Sequence, residues 1–226
     1  MGIKRTPLAD RRLPDYTHGE EITNMVTHIV GGALGILALV LCPVFAARHH
    51  SGWGVACGTV FGLCMLVLYA ISSIYHGLSP RIMAKRVLQV LDHCSIFLLI
   101  AGTYTPFALC VLRPYNPALG WTLFGLIWAL AALGISLNAV DLKKYDRFSM
   151  TCYLLMGWAI VVRIDLIYRL IGPGGFWLLL GGGLAYTVGA VLYALGRKRR
   201  YAHSAFHVCT VIGSLLHLLC VLLYVL

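Results

Sequence analysis

The chain has 226 residues, of which 60% are hydrophobic and only 12% are charged, with a formal net charge of +10. The mean hydropathy of +0.84 excludes a soluble globular protein and indicates a polytopic membrane protein. The apolar residues form long continuous runs, which strongly favour helices over a strand-built barrel. The eight cysteines form no CxxC pair, and we interpret them as small buried hydrophobic residues.

About 20 apolar residues are needed to cross a bilayer as a helix. After a polar cytoplasmic tail over residues 1–21, the sequence predicts an all-α integral membrane domain of seven transmembrane helices over residues 22–226. The predicted spans are 22–46, 53–77, 87–111, 118–139, 149–168, 176–196 and 202–226. Turn-forming residues separate these spans, as at Gly172-Pro173-Gly174-Gly175.

Positive charge is distributed unevenly between the two sides of the predicted bundle. The tail and the loops after spans two, four and six carry 14 of the 18 Lys and Arg residues, and the other side carries four. The larger set is Lys4, Arg5, Arg11, Arg12, Arg81, Lys85, Arg86, Lys143, Lys144, Arg147 and Arg197–Arg200. The positive-inside rule then places the N-terminus in the cytoplasm and the C-terminus outside. Because the positive charge is concentrated in the tail and these loops, we expect contact with anionic membrane lipids and no nucleic-acid partner.

Glycines four residues apart mark possible sites of close helix approach. The pairs are Gly31 with Gly35 and Gly58 with Gly62. We interpret them as packing faces inside one bundle rather than as an oligomer interface, and the sequence does not give the oligomeric state.

Two histidines open the last predicted span. His203 and His207 are four residues apart, so they lie on one helical face and can reach one metal ion. His76 lies near the end of the second span, which runs inward, and therefore comes to the same depth. Three imidazoles with one exchangeable position are typical of a catalytic zinc site, so we predict Zn²⁺ on His76, His203 and His207. The alternative is a set of polar residues whose side chains only reach toward the membrane surface.

Other polar residues lie at the same depth. Asp92 lies about one turn into the third span, and Ser72 lies one turn deeper than His76 on the same face. We predict Asp92 as a general base and Ser72 as a second polar partner. A further polar cluster at the inner end of the first span consists of Glu20, Glu21, Asn24 and His28, the last of these being a reserve metal ligand.

Two further histidines are not assigned to the metal. His93 is adjacent to Asp92 but points about 100° away from it around the helix. His217 lies 14 residues after His203, about 21 Å further along the helix.

Several motifs resemble those of the bacterial hemolysin III proteins, which belong to the progestin and adiponectin receptor family. The stretches Glu20-Glu21-Ile22-Thr23-Asn24 and Thr27-His28-Ile29-Val30-Gly31 resemble the opening motif of these proteins. Ser72-Ser73-Ile74-Tyr75-His76 is similar to the Ser-x3-His element, and His203-Ser204-Ala205-Phe206-His207 is similar to the His-x3-His element. Asp92 matches the acidic residue that opens the third span, and the resemblance covers all seven predicted spans in order.

The resemblance implies a seven-helix bundle in the bacterial plasma membrane. It also implies Zn²⁺ on His76, His203 and His207 near the inner leaflet, with Asp92 and Ser72 linked to the metal through water. The family looks similar to the alkaline ceramidases, which implies hydrolysis of a lipid amide, and its bacterial branch is associated with membrane homeostasis. Our leading hypothesis is a zinc-dependent hydrolase that acts on a lipid amide or ester.

Two alternatives to the hydrolase remain open. One is a non-enzymatic, lipid-sensing regulator or receptor with structural zinc. The other is a pore-forming cytolysin, against which the sequence itself argues. Seven apolar spans suit insertion during synthesis, and no row of like charges is present in them to line a channel.

Overall fold

The computed structural model describes residues 6–196 and 199–226. Four of the predicted cytoplasmic cations, Lys4, Arg5, Arg197 and Lys198, lie outside the described residues. Within the described ranges the regular structure is entirely helical, without a strand. The α-helices are α1 (His18–Arg48), α2 (Gly52–Gly77), α3 (Met83–Pro106), α4 (Arg113–Tyr115), α5 (Pro117–Trp158), α6 (Ile164–Gly196) and α7 (Ala202–Tyr224). A π-helix, Phe107–Leu112, joins α3 to α4, and a 3-10 helix, Ala159–Arg163, joins α5 to α6.

Five helical stretches are long and apolar enough to cross a membrane, judged by length and composition. They are His18–Arg48, Gly52–Gly77, Met83–Tyr115, Pro117–Leu195 and Ala202–Tyr224. The fourth stretch has 79 residues, about four times the length that one crossing needs. The chain is not straight over this length, because it reverses direction twice.

The first reversal is at Asp141, inside α5. The backbone there is extended (φ −157°, ψ 100°). Ser149 Oγ donates a hydrogen bond of 2.6 Å to Asn138 Oδ1, although residues this far apart in sequence would be separated by about 16 Å along a straight helix. The two halves of α5 therefore lie side by side and antiparallel.

The second reversal is at Gly172, inside α6, where the sequence predicts a turn. Gly172 has φ 69°, a left-handed conformation that costs little free energy only for glycine. Pro173 follows and fixes its own φ. Trp158 Nε1 donates to Thr187 Oγ1 at 3.0 Å across this reversal, so the predicted turn is confirmed. The stretch Pro117–Leu195 thus consists of three antiparallel arms.

The first helix begins earlier than predicted, at His18 rather than near residue 22. Thr17 and Glu20 form a capping box, in which the Thr17 side chain accepts from the Glu20 N–H and the Glu20 carboxylate accepts from the Thr17 N–H. The cap extends the helix into the polar end of the chain, and it therefore fixes Glu21, Asn24 and His28 on one rigid element.

The predicted glycine faces are confirmed as contacts inside the bundle, between α1 and α2. A Cβ on Gly35 would lie 2.8 Å from the Leu66 Cα, and a Cβ on Gly62 would lie 2.4 Å from the Leu39 Cα. The backbones of the two helices can approach this closely only because these positions have no side chain. Elsewhere α3 packs between α2 and α5, and α7 packs against α6 and α1.

The described parts of the predicted cytoplasmic loops meet at one end of the bundle, which we call the basic end. There Arg11 Nη2 donates to the Val140 carbonyl at 3.1 Å, and Arg86 Nε donates to the Arg11 carbonyl at 3.3 Å. At the opposite end, His49 Nδ1 lies 3.0 Å from the carbonyl oxygen of Leu226. The N-terminal segment, the start of α3 and the first reversal therefore lie together at one end, and the end of α1 lies with the C-terminal residue at the other.

Candidate metal centre

Three buried histidines converge near the basic end. His76 from α2 and His203 and His207 from α7 each offer a ring nitrogen, and these nitrogens all lie within 4.8 Å of one another. The Nε2 atoms of His203 and His207 are 3.0 Å apart. The structure thus brings together the three rings that the sequence places at one depth, in an arrangement that could hold a metal ion.

The donor set fits zinc. A tetrahedral zinc ion with Zn–N bonds of about 2.0–2.1 Å holds its nitrogen ligands about 3.3 Å apart, close to the His203–His207 separation. Nε2 of His76 is buried and has no hydrogen-bond partner within the described part of the chain. A buried nitrogen without a partner costs free energy, and a cation between the three rings would remove this cost.

Glu21 sets the orientation of His76. Its Oε2 lies 2.6 Å from Nδ1 of His76. Because a carboxylate only accepts hydrogen bonds, Nδ1 carries the proton and Nε2 is left with a lone pair for a metal. Nδ2 of Asn24 is 3.4 Å from the same Nδ1, but in this tautomer both groups are donors, so this contact is not a hydrogen bond. The sequence places Glu21 at this depth and does not indicate that it contacts His76.

Asn24 orients the His207 ring of α7, as Glu21 orients the His76 ring of α2. Its backbone carbonyl lies 3.3 Å from Nδ1 of His207, so that nitrogen carries the proton and Nε2 faces His203. The Asn24 side-chain oxygen accepts a hydrogen bond of 2.6 Å from Ser204. One residue of α1 therefore fastens the ligand-bearing turn of α7.

His28 and Glu20, the other two members of the polar cluster predicted at the inner end of the first span, have different contacts. His28 stacks on His207 with ring centroids 3.6 Å apart and is outside the three-ligand group, so its reserve role stays a prediction. Glu20 contributes to the capping box and accepts the N–H of Tyr201 at 2.7 Å. It thereby holds the start of α7 in place, and this role was not predicted.

The two residues predicted for catalysis share a cavity with the cluster. A cavity of about 160 Å³ is lined by Ser72, Asp92, His207 and mainly apolar residues, and it extends between α3, α5, α6 and α7 as far as His217. The Ser72 hydroxyl is buried and has no hydrogen-bond partner among the described residues. Asp92 is partly buried, and its predicted role as a base stays a prediction.

Tyr16 covers the cluster from the basic end. Its ring stacks on His203 with centroids 4.9 Å apart and planes 22° apart, and its centroid is 5.8 Å from that of His76. Burial raises the pKa of the Tyr16 hydroxyl, which therefore stays neutral. Tyr16 was not predicted as a site residue, although an aromatic side chain just before the Thr17 cap was a possible signal.

Comparison with known proteins gives the family. Residues 16–218 match the family model described as Haemolysin-III related. The chain is 41% identical over 208 residues to Hemolysin-3 of Bacillus cereus, covering 92% of each protein. It is 38% identical over 209 residues to a Hemolysin-3 homolog of Bacillus subtilis strain 168, covering 92% of this chain and 96% of that protein. It is 26% identical over 225 residues to the adiponectin receptor protein of Drosophila melanogaster, covering 87% of this chain and 49% of that protein. With several apolar helices, it is a multi-pass protein of the bacterial plasma membrane, and it belongs to the haemolysin-III related family.

Proposed function

We propose that this chain is a zinc-dependent hydrolase that cleaves an amide or ester bond of a membrane lipid, such as a ceramide-like lipid. The observation that carries the proposal is the convergence of three histidine nitrogens beside a largely apolar cavity that Asp92 and Ser72 also line. His76, His203 and His207 would hold the ion, which when bound supplies a Lewis acid able to activate water and polarise a carbonyl at neutral pH.

The chain's own residues would move the proton. Asp92 would accept the proton that a water molecule loses as its oxygen bonds to the carbonyl carbon. The same carboxyl group would return that proton to the amine or alkoxide when the C–N or C–O bond breaks. Ser72 would donate a hydrogen bond to an oxygen in the cavity, since its buried hydroxyl has no acceptor within the described residues.

The proposed topology brings the lipid to this site. Each of the three arms of Pro117–Leu195 would cross the membrane once, which gives seven crossings with the N-terminus in the cytoplasm. The cluster would then lie just below the headgroups of the inner leaflet. A lipid has its amide or ester bonds at this depth, and the apolar cavity would accommodate its acyl chain.

The test is chemical analysis of the purified protein. We expect stoichiometric zinc and release of fatty acid from ceramide-like or N-acyl lipids. The variant His76→Ala should lose both, and His18→Ala, which changes an exposed histidine, should keep both. Undiminished product from folded His76→Ala would contradict zinc catalysis.

A second candidate is a non-enzymatic lipid-sensing regulator, in which zinc would stabilise the bundle. The similarity to a protein named as an adiponectin receptor favours it. Stoichiometric zinc without turnover on a broad lipid panel, together with a lower unfolding temperature after zinc removal, would support this candidate. Single-channel currents from purified protein in bilayers would instead support the third alternative, a pore-forming cytolysin.

A further inference from the structure

Lys85 is a buried lysine beside the metal centre. By its position in the sequence it is one of the loop cations predicted to face the inner leaflet, but the residue is only 1% exposed. Its ammonium donates to Glu21 Oε1 at 2.6 Å and to the Leu78 carbonyl at 2.9 Å, and it lies 5.1 Å from the centroid of the Tyr75 ring. Lys85 is therefore unavailable to lipid headgroups, and another role must account for it.

Glu21 connects this lysine to a metal ligand. One carboxylate oxygen accepts from Lys85 and the other accepts from Nδ1 of His76, both at 2.6 Å. The neighbouring Glu20 hydrogen-bonds to other groups, because its carboxylate caps α1 and accepts the Tyr201 N–H. Two adjacent glutamates thus have separate tasks, and only Glu21 lies on the path from Lys85 to His76.

We propose that Lys85 is a positioning residue that acts on the metal centre through Glu21. The inference rests on the proposed zinc site. The Glu21 carboxylate is at the end of a long, flexible side chain that is 18% exposed. Without Lys85 as a partner, this carboxylate would turn toward water. The ammonium, itself fixed by the Leu78 carbonyl, holds the carboxylate against His76. The carboxylate then keeps the proton on Nδ1 and keeps Nε2 directed at His203 and His207.

The burial of Lys85 supports a positional role rather than a contribution to fold stability. Taking a lysine and a glutamate out of water costs free energy that their attraction often only offsets, so apolar residues of similar size commonly stabilise a fold as well. A buried ion pair of this kind has a role beyond stability where its geometry fixes the orientation of a third group. Here the third group is a ring nitrogen that belongs to the candidate ligand set.

The first measurement is zinc affinity by competition with a chelator, on purified full-length variants. We expect Lys85→Met and Glu21→Gln each to weaken zinc binding by about 10–100-fold, the usual effect of removing a partner of a metal ligand. The double variant should bind no more weakly than Glu21→Gln alone, because both residues act along one path. The matched control Lys143→Met, at an exposed lysine, should stay within about twofold of the wild-type affinity.

The second measurement is the ¹⁵N spectrum of labelled histidine in the metal-free protein, which reports the tautomer of each ring. We expect a single Nδ1–H tautomer of His76 in the wild type and a mixture in Lys85→Met. A purely structural role for Lys85 would change the unfolding temperature and leave this signal unchanged. If Lys85→Met does not fold, Glu21→Gln decides by the same two measurements.

The outcomes separate the two proposals. A folded Lys85→Met variant with wild-type affinity and an unchanged His76 tautomer would overturn the positioning role. A wild-type protein that binds no zinc would overturn the proposed function, and the tautomer measurement would still show whether Lys85 orients His76.

Discussion

Asn24 is a single buried residue on which two elements depend. Its side-chain oxygen accepts from Ser204 and its backbone carbonyl faces His207. Asn24→Ala leaves the Ser204 hydroxyl buried without this acceptor, so we expect the free energy of unfolding to fall by about 1–3 kcal/mol. The backbone carbonyl remains, so zinc stoichiometry should be retained. Unfolding of the metal-free variant measures the loss.

The matched variant for this pair is Ser204→Ala. Because both changes remove the same hydrogen bond, the double variant should lose less stability than the two single variants together. Fully additive losses would contradict a functioning Asn24–Ser204 pair.

Tyr16 provides a prediction about access to the cluster. Tyr16→Ala removes the ring that stacks on His203, and an aromatic pair of this kind contributes about 0.5–1.5 kcal/mol, up to about tenfold in an equilibrium or rate. We expect a hydrophilic chelator to remove zinc up to about tenfold faster from this variant, measured by stopped-flow release. Tyr16→Phe keeps the ring and should release zinc at the wild-type rate. Equal rates in all three proteins would show that the ring does not cover the site.

At this scale the sequence predicts the ligands better than their partners. His76, His203 and His207 could be placed together because the direction and register of each span determine the depth of a residue. The Glu21–Lys85 pair, whose members are 64 residues apart, could not be predicted. The depth of a residue along its span does not show which side chains at that depth face each other. A count of loop charges also treats every lysine as exposed, so it could not indicate that Lys85 is buried.

At the scale of the helices, hydropathy predicts the apolar spans well and the polar helix ends poorly. The Gly172 turn has a local cause, a glycine followed by a proline, and was predicted. Residues 142–148 are helical, although their charges made them appear as a loop. They form the start of the second half of α5, directly after the reversal at Asp141. Charged side chains at a membrane surface can point to water while the backbone is already helical, so charge marks the membrane boundary and not the start of the helix.

The close approach of α1 and α2 gives a stability prediction. In Gly62→Ala the new methyl group would meet the Leu39 backbone, at 2.4 Å from Cα and N. Backbone atoms inside a helix cannot move aside cheaply, so we expect a loss of about 1–3 kcal/mol. In Gly125→Ala nothing lies within 4 Å of the added Cβ, and the change should stabilise the helix by about 0.5–1 kcal/mol. Unfolding of the two variants side by side tests this, and equal effects would exclude glycine-mediated packing at Gly62.

At the scale of the whole molecule, the described part of the tail belongs to the bundle. Thr6 donates to the Asp141 carboxylate from its N–H at 3.0 Å and from its hydroxyl at 2.7 Å, and Arg11 donates to the Val140 carbonyl. The tail therefore crosses the basic end and reaches the first reversal of the chain. Two of the cations counted for orientation, Arg11 and Lys85, are buried, so part of the positive charge acts inside the protein.

The number of crossings can be tested with reporter fusions. Five and seven crossings both place the two termini on opposite sides, so a reporter at Leu226 alone cannot distinguish them. Fusions inside Pro117–Leu195 can, because the proposed arms put Arg147 in the cytoplasm and Pro173 outside.

Alkaline phosphatase, whose disulfides form only outside the cytoplasm, should be inactive when fused after Arg147 and active when fused after Pro173. It should be inactive again after Arg200 and active after Leu226. Equal activity after Arg147 and Pro173 would show that the chain between them does not cross the membrane and would support five crossings over seven. The last span would begin in the cytoplasm in either case, so His203 and His207 would keep their depth.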